Sequence, residues 1–362
     1  MEIAVIGGGH GCYASAVSLT EQGHNIRLWR RNVSAFEQVI DSKTIALTDH
    51  KRIRDVVLSV VTDSIPLAMD GAELVVLPLP CDTQDFLAPQ LAPHWKDGQV
   101  GYLPPGTFGG YIYAKAAIKA GNTANISFGE TGTLPYLARK HGEDNVRISV
   151  YATRLPTGIY PLENAEYAFK IIKNAYPAAE QITDLLDGAL MNAGPIIHPP
   201  LIIMNAGPLE NFDVWDIHNE GTQPSIRSVT NALDQERIKL REKLGYNAPH
   251  FPLKNHYDDD REEWMYGNSS QIKVTDSGDW REHIDLHTHR YMCEDTALGL
   301  VFYCSLGRWI NHPMPISEGL VAVASGITGK PLYEAGRSLE SLGLADFTRD
   351  EMRKMLAAGM VK

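Results

Sequence analysis

Three segments of this 362-residue chain carry residue types and spacings suited to chemistry. The first is Gly7-Gly8-Gly9-His10-Gly11-Cys12, with Trp29-Arg30-Arg31 about 20 residues further on. A glycine loop between an apolar strand and a helix lets the backbone approach a pyrophosphate. The helix N-terminus then offers N–H groups with no partner inside the helix. Gly7 suits the tight turn and Gly9 the close approach. His10 and Gly11 open the helix, and Cys12 stands at the third glycine position. Pro78 and Pro80 close the apolar run Glu73–Pro80 and are assigned to the same crevice. An acid usually holds the ribose 2′-hydroxyl at the end of the second strand, where this chain has Arg30 and Arg31. A guanidinium fork binds phosphate oxygens there instead. The expected cofactor is NADP(H) in preference to NAD(H), with NAD(H) still admissible. The competing reading is a solvated charge pair at a strand end.

The second segment is Ile196-Ile197-His198-Pro199-Pro200. Its prolines are predicted to form the first turn of a helix through Leu201–Met204. His198 can donate a proton near neutral pH, or it can be a core histidine bonded to a backbone carbonyl. The third segment is His289-Arg290-Tyr291-Met292-Cys293-Glu294-Asp295. Asp295 is predicted to open a buried helix over Thr296–Ile310, with Leu298 and Phe302 on its side. A carboxylate facing that interior needs a partner, for which His198 is a candidate. Alternatively Glu294 and Asp295 only complement the helix dipole, and Arg290 and Glu294 form a plain i,i+4 ion pair. His283 and His287 are predicted on one helix beside His289. With no glutamate inside that spacing, no metal site is assigned.

These segments need a scaffold, and the composition describes one. Hydrophobic residues make up 44% and charged residues 21%, as in an ordinary globular protein. The net charge of −11 argues against nucleic acid and anionic membrane surfaces as partners. No apolar run approaches the ~20 residues of a membrane span. The strand beginning at residue two leaves no room for a signal peptide, and four cysteines without CxxC spacing suit thiols in a reducing cytoplasm. Strands are predicted at Glu2–Ile6, Asn25–Trp29, Val56–Val61, Glu73–Pro80, Gln99–Leu103, Asn125–Gly129 and Val146–Ala152. Several end in Pro- or Gly-rich loops, where an open α/β sheet builds its crevice. From about Ala178 the apolar pattern turns helical, with a stripe of Ile226, Val229, Leu233, Leu240 and Leu244 closed by Gly245. Residues 250–285 read as an acidic, aromatic surface connection. The expected fold is α/β plus all-α: a Rossmann-like dinucleotide-binding domain over 1–180, then a helical substrate domain over 181–362.

With these segments in this order, the chain resembles the opine (octopine) dehydrogenase family. The resemblance runs from the Gly7 loop to Leu344. It is carried by Gly129-Glu130-Thr131 with Leu134-Pro135-Tyr136, by Ile197-His198-Pro199, and by the helix around Asp234-Glu236-Arg237. Arg290-Tyr291 with Glu294-Asp295, and Gly336-Arg337-Ser338-Leu339-Glu340, complete it. The resemblance implies reductive coupling of an amino acid amine to an α-keto acid. It implies His198 and Asp295 as the acid–base pair and Arg290 as the substrate-carboxylate residue. Glu130, Tyr136 and the aromatic 257–266 stretch are candidates for the amino acid pocket, and a homodimer is compatible with the family. The chain departs from the family at Cys12, where a third glycine is common. It also departs at Gly194, where some relatives carry asparagine, and at Arg30, where NADH-preferring relatives carry an acid. The alternatives are a hydroxyacid or ketoacid reductase of the same architecture and a non-catalytic NADP(H)-binding redox sensor.

Overall fold

The computed structural model describes residues 1–256, 265–266 and 283–360. Tyr257, the acidic run 258–260 and Trp264, assigned above to the surface connection, lie outside the described residues. The first strand, β1 (Glu2–Ile6), is fully buried from Ile3 onward, as a strand covered on both faces must be. It pairs in parallel with β2 (Asn25–Trp29) on one side and β6 (Leu74–Val76) on the other. The chain therefore leaves β1 in opposite directions across the sheet. That divergence opens a crevice at the carboxyl ends of β1 and β6. The sheet is completed by β5 (Val60–Thr62), β7 (Val100–Leu103), β8 (Ser127–Thr131), β11 (Leu155–Tyr160) and β12 (Ala179–Asp184). Its order is β12-β11-β8-β7-β6-β1-β2-β5, and among its pairings only β11 with β8 is antiparallel.

A second sheet was not legible in the apolar runs. It contains β3 (Thr44–Thr48), β4 (Ile53–Val57), β9 (Tyr136–His141) and β10 (Asn145–Tyr151), in the order β4-β3-β10-β9. The single strand predicted over Val56–Val61 is two strands in two sheets. The Leu58 N–H bonds the Lys43 carbonyl and ends the pairing with β3, and from Val60 the chain pairs with β2. The run Val146–Ala152 likewise belongs to the second sheet. Alternating burial along β3 and β10 shows one covered face, and the sheet lies over the helix His10–Glu21.

After β12 every described helix or strand is a helix. The stripe of Ile226, Leu233 and Leu240 is buried along the helix Pro224–Leu244. Gly245 closes that helix at φ +101°, a left-handed cap. Two predicted boundaries shift. The helix carrying His198 spans Gly194–Met204, so Pro195 occupies its first turn and Pro199 and Pro200 lie inside. The Ala193 carbonyl accepts from the Ile196 and Ile197 N–H groups and starts the helix a turn early. The helix carrying Asp295 is a π-helix over Tyr291–Leu300 that continues as an α-helix over Val301–Trp309. Asp295 thus sits in its second turn rather than at its opening. The wider i→i+5 turn is a form found frequently at functional sites.

Candidate active site

The glycine loop brings the backbone close against the loop after β6. Gly7 sits at φ +120°, and a Cβ there would lie 2.4 Å from Leu79 Cδ2. A Cβ on Gly9 would meet nothing within 4 Å, and the helix His10–Glu21 has no side-chain cap at its N-terminus. A helix N-terminus without a side-chain cap is the kind of end that can bind phosphate. Gly11 packs on Pro78, where a Cβ would lie 3.3 Å from the proline Cβ. Cys12 fills the third glycine position with its Sγ 3.6 Å from both the Ile6 and the Pro78 carbonyl oxygens. Burial pushes its thiol up to about 12, so it is packing material rather than a nucleophile. The Pro80 carbonyl accepts from the Thr83 hydroxyl and N–H, which holds the loop after β6 in a tight turn.

Arg30 crosses directly over Gly8, where a Cβ would be 2.3 Å from Arg30 Cδ. Its Nη1 donates to the Ala35 carbonyl at 2.6 Å and approaches the Tyr13 hydroxyl at 3.5 Å. Nε and Nη2 have no hydrogen bond among the described residues. Arg31 lies over the Phe86 ring at 5.1 Å and is exposed. The second sheet adds two basic residues, Arg139 and Lys140, that the spacing did not announce. The Lys140 ammonium stands 4.5 Å over the Tyr13 ring, and the Lys140 N–H donates to His10 Nδ1 at 2.8 Å. Burial, Arg139 and Arg290 hold His10 down at about 4, so it is neutral near pH 7.

Two strand ends position the acid–base residues. Beyond β8, the Gly132 carbonyl accepts from the Ala193 N–H at 3.0 Å, immediately before the His198 helix. Beyond β6, the Cys81 N–H donates to Glu294 Oε1 at 2.9 Å and ties down the π-helix. The buried Arg337 donates to the Thr107 carbonyl at 2.7 Å and the Cys81 carbonyl at 3.0 Å, which locks the helices to the sheet. With both helices fixed, His198 Nδ1 meets Asp295 Oδ2 at 2.8 Å. Both side chains are largely buried. Burial and the Arg290 charge depress the imidazole, while burial raises the Asp295 carboxyl to about 6. Burial thus opposes charge on both partners, and the pair titrates as one unit.

The neighbours of this pair are aromatic and cationic. The Tyr291 ring stacks on the His198 imidazole, and its hydroxyl meets His218 Nε2 at 2.7 Å. His289 stands edge-on to Tyr291 at 4.4 Å. The Arg290 guanidinium is exposed and lies 5.5 Å over the Tyr291 ring. Its charge acts on His10 at the glycine loop and on His198 alike, which puts both within its electrostatic reach. Glu294 Oε2 is buried with no hydrogen-bond partner among the described residues, and burial and Asp295 raise that carboxyl to about 7.

The structure takes two expected substrate contacts elsewhere. Glu130 is fully buried, and its two oxygens accept from the Phe108 N–H at 2.8 Å and the Gly110 N–H at 2.6 Å. It caps the helix Gly109–Lys119 from the neighbouring strand, which occupies the carboxylate. Tyr136 is buried in the core beneath the second sheet, edge-on to Tyr151. Neither joins the dyad. His283 to His287 form loop and turn rather than a helix, and no described cluster of His, Cys, Asp or Glu could hold a metal. His218 was missed because nothing in its local sequence marks it. Tyr291 stands out in the sequence only as a neighbour of Arg290.

Residues 181–328 match the family described as NAD/NADP octopine/nopaline dehydrogenase, alpha-helical domain. An opine dehydrogenase of Arthrobacter sp. (strain 1C) is 24% identical over 355 residues, covering 97% of each chain. The solved structure of an octopine dehydrogenase in complex with NADH and agmatine has a TM-score of 0.70. It is 16% identical and covers 97% of both chains. NADP+-bound yersinopine dehydrogenase has a TM-score of 0.66 at 14% identity, covering 98% of this chain and 97% of that one. The class is that of NAD(P)-dependent oxidoreductases acting on CH–NH bonds. Within that class, the chain is similar over 97% of its length to an opine dehydrogenase, and residues 181–328 carry the match to the octopine/nopaline dehydrogenase helical domain.

Proposed function

We propose that this protein reductively condenses an amino acid with an α-keto acid to give an N-(carboxyalkyl) amino acid, using NADP(H) in preference to NAD(H). The observation that carries this reading is the 2.8 Å His198–Asp295 pair, with Arg290 in electrostatic reach of both His198 and His10 of the glycine loop. In the proposal, residues 1–180 bind the cofactor and residues 181–362 bind the substrates. Gly7, Gly9, His10 and Gly11 hold the pyrophosphate against the uncapped helix, and Arg30 takes the 2′-phosphate with Arg31 and Lys140 nearby. Pro78 and Pro80 wall the crevice. NADH and NADP+ are each bound by a structural neighbour, so Arg30 is what favours the phosphorylated form here. The cofactor supplies hydride when bound.

The chain supplies the rest. The Arg290 fork takes the keto-acid carboxylate bidentately. With Nδ1 committed to Asp295, His198 exchanges protons through Nε2. It accepts a proton as the amine adds to the ketone, and returns one to the departing hydroxyl as the imine forms. Asp295 holds the ring in that tautomer and balances the imidazolium. Burial keeps competing water from the imine. The four cysteines are free and suit a reducing cytoplasm, and no described helix is long and apolar enough to cross a membrane.

The test is NADPH oxidation with each amino acid crossed against pyruvate, glyoxylate and 2-oxoglutarate. The proposal requires both substrates together. Oxidation with a keto acid alone would make the enzyme a ketoacid reductase, and NADPH binding without turnover on any pair would leave a redox sensor.

A further inference from the structure

The His198 ring makes contact on one edge and one face. The edge bonds Asp295, and the face lies on Tyr291 with centroids 3.8 Å apart and planes 9° from parallel. The Tyr291 hydroxyl is bonded to His218 Nε2 at 2.7 Å. The His218 ring stands edge-on to Tyr291 at 5.7 Å and to His198 at 6.3 Å. One of these residues comes from the Gly194–Met204 helix, one from the turn before the Pro224–Leu244 helix, and one from the π-helix.

We infer that Tyr291, held by His218, is a positioning residue that fixes the His198 ring and favours its protonated form. This rests on His198 being the proton carrier of the proposed reaction. A parallel ring at 3.8 Å blocks rotation of the imidazole out of line with Asp295. Burial keeps His218 neutral, so we assign the proton of its bond to the phenol. Donating that proton enriches the Tyr291 ring in electrons, and an aromatic face stabilises a cation lying on it. The groups around His198 therefore divide. Asp295 and Tyr291 favour the imidazolium, while burial and Arg290 oppose it, and the neighbouring His218 and His289 are themselves held neutral. The helices Pro224–Leu244 and Pro315–Thr328 also pack on the His198 helix, and bring His198 no hydrogen bond or ion pair among the described residues. The stack adds to Asp295 in offsetting burial and the charge of Arg290.

Deuterium exchange at the imidazole C2 position, read by mass spectrometry on the full-length enzyme, follows His198 protonation without any need for turnover. Tyr291→Leu should lower the proton affinity of His198 roughly threefold to thirtyfold and move the pH–rate profile down by the same amount. Tyr291→Phe and His218→Ala should each lower it about twofold to threefold, and the double variant should go no further, because both break one bond. A folded Tyr291→Leu protein with the wild-type His198 midpoint overturns the inference. If that variant does not fold, the Phe and Ala cycle decides, and effects that add overturn it. A His198→Ala enzyme with full turnover would sink the proposed chemistry instead, leaving the titration result standing.

Discussion

Gly194 is predicted to be intolerant of any side chain, because the space beside it belongs to Asp295. A Cβ built on Gly194 lies 2.2 Å from Asp295 Oδ1 and 3.2 Å from Asn192 Oδ1. Ordinary van der Waals contact begins at 3.4 Å, so in Gly194→Ala the carboxylate must retreat by about 1 Å. The other oxygen of that carboxylate holds His198 at 2.8 Å, and the hydrogen bond cannot survive such a shift in place. A 1 Å displacement of a catalytic group costs roughly 100-fold in rate. We therefore expect kcat to fall about 100-fold in Gly194→Ala, with the Kd for NADPH changed less than about twofold. NADPH fluorescence titration and steady-state rates measure the two separately. Gly194→Asn should do no better than Ala, although some relatives carry asparagine there, because in this chain the Asp295 carboxylate fills that volume. A Gly194→Ala enzyme with kcat within threefold of wild type would refute this packing argument.

Three further outcomes follow from the same geometry. Asp295→Asn should lower kcat by roughly 10²–10⁴ while NADPH still binds, since the amide cannot balance the imidazolium; rates with saturating substrates check it. Arg30→Asp should shift the NADPH-to-NADH ratio of kcat/KM by roughly 10- to 100-fold towards NADH. Gly8→Ala should push it the same way by displacing Arg30, and an unchanged ratio in both would mean the 2′-phosphate is held elsewhere. Burial raises Glu130 to about 7 from an ordinary 4.5. Its contribution to stability is fully present below pH 4.5 and is lost as pH rises through 7. Glu130→Gln lacks this titration, so its stability relative to wild type should improve by on the order of 2–3 kcal/mol between pH 4.5 and 8. Urea unfolding at several pH values measures the difference, and a constant difference would contradict the raised carboxyl.

Much of the parallel sheet was legible because its strands are short and apolar, several of them followed by glycine or proline, although Leu155–Tyr160 and Ala179–Asp184 were not predicted. Glu2–Ile6 and Asn25–Trp29 matched to the residue. The second sheet was not, because an apolar run does not say where a strand changes partner. Val56 and Val61 belong to different sheets for reasons visible only in Lys43 and Val60 pairing. Helix ends slipped for a related cause. Pro199 and Pro200 suggest a first turn, but Pro195 and the Ala193 carbonyl take that place.

By itself, the sequence determined the glycine loop, the arginine at the end of the second strand and the residue types of the dyad. These depend on backbone freedom, charge and side-chain chemistry, which are local properties. Only the tertiary structure decided that Glu130 caps a helix, that Gly194 makes room for Asp295, and that Tyr291 and His218 brace His198. Each depends on distances between residues far apart in the chain. Those distances are set by packing on two strand ends, and no local pattern encodes them.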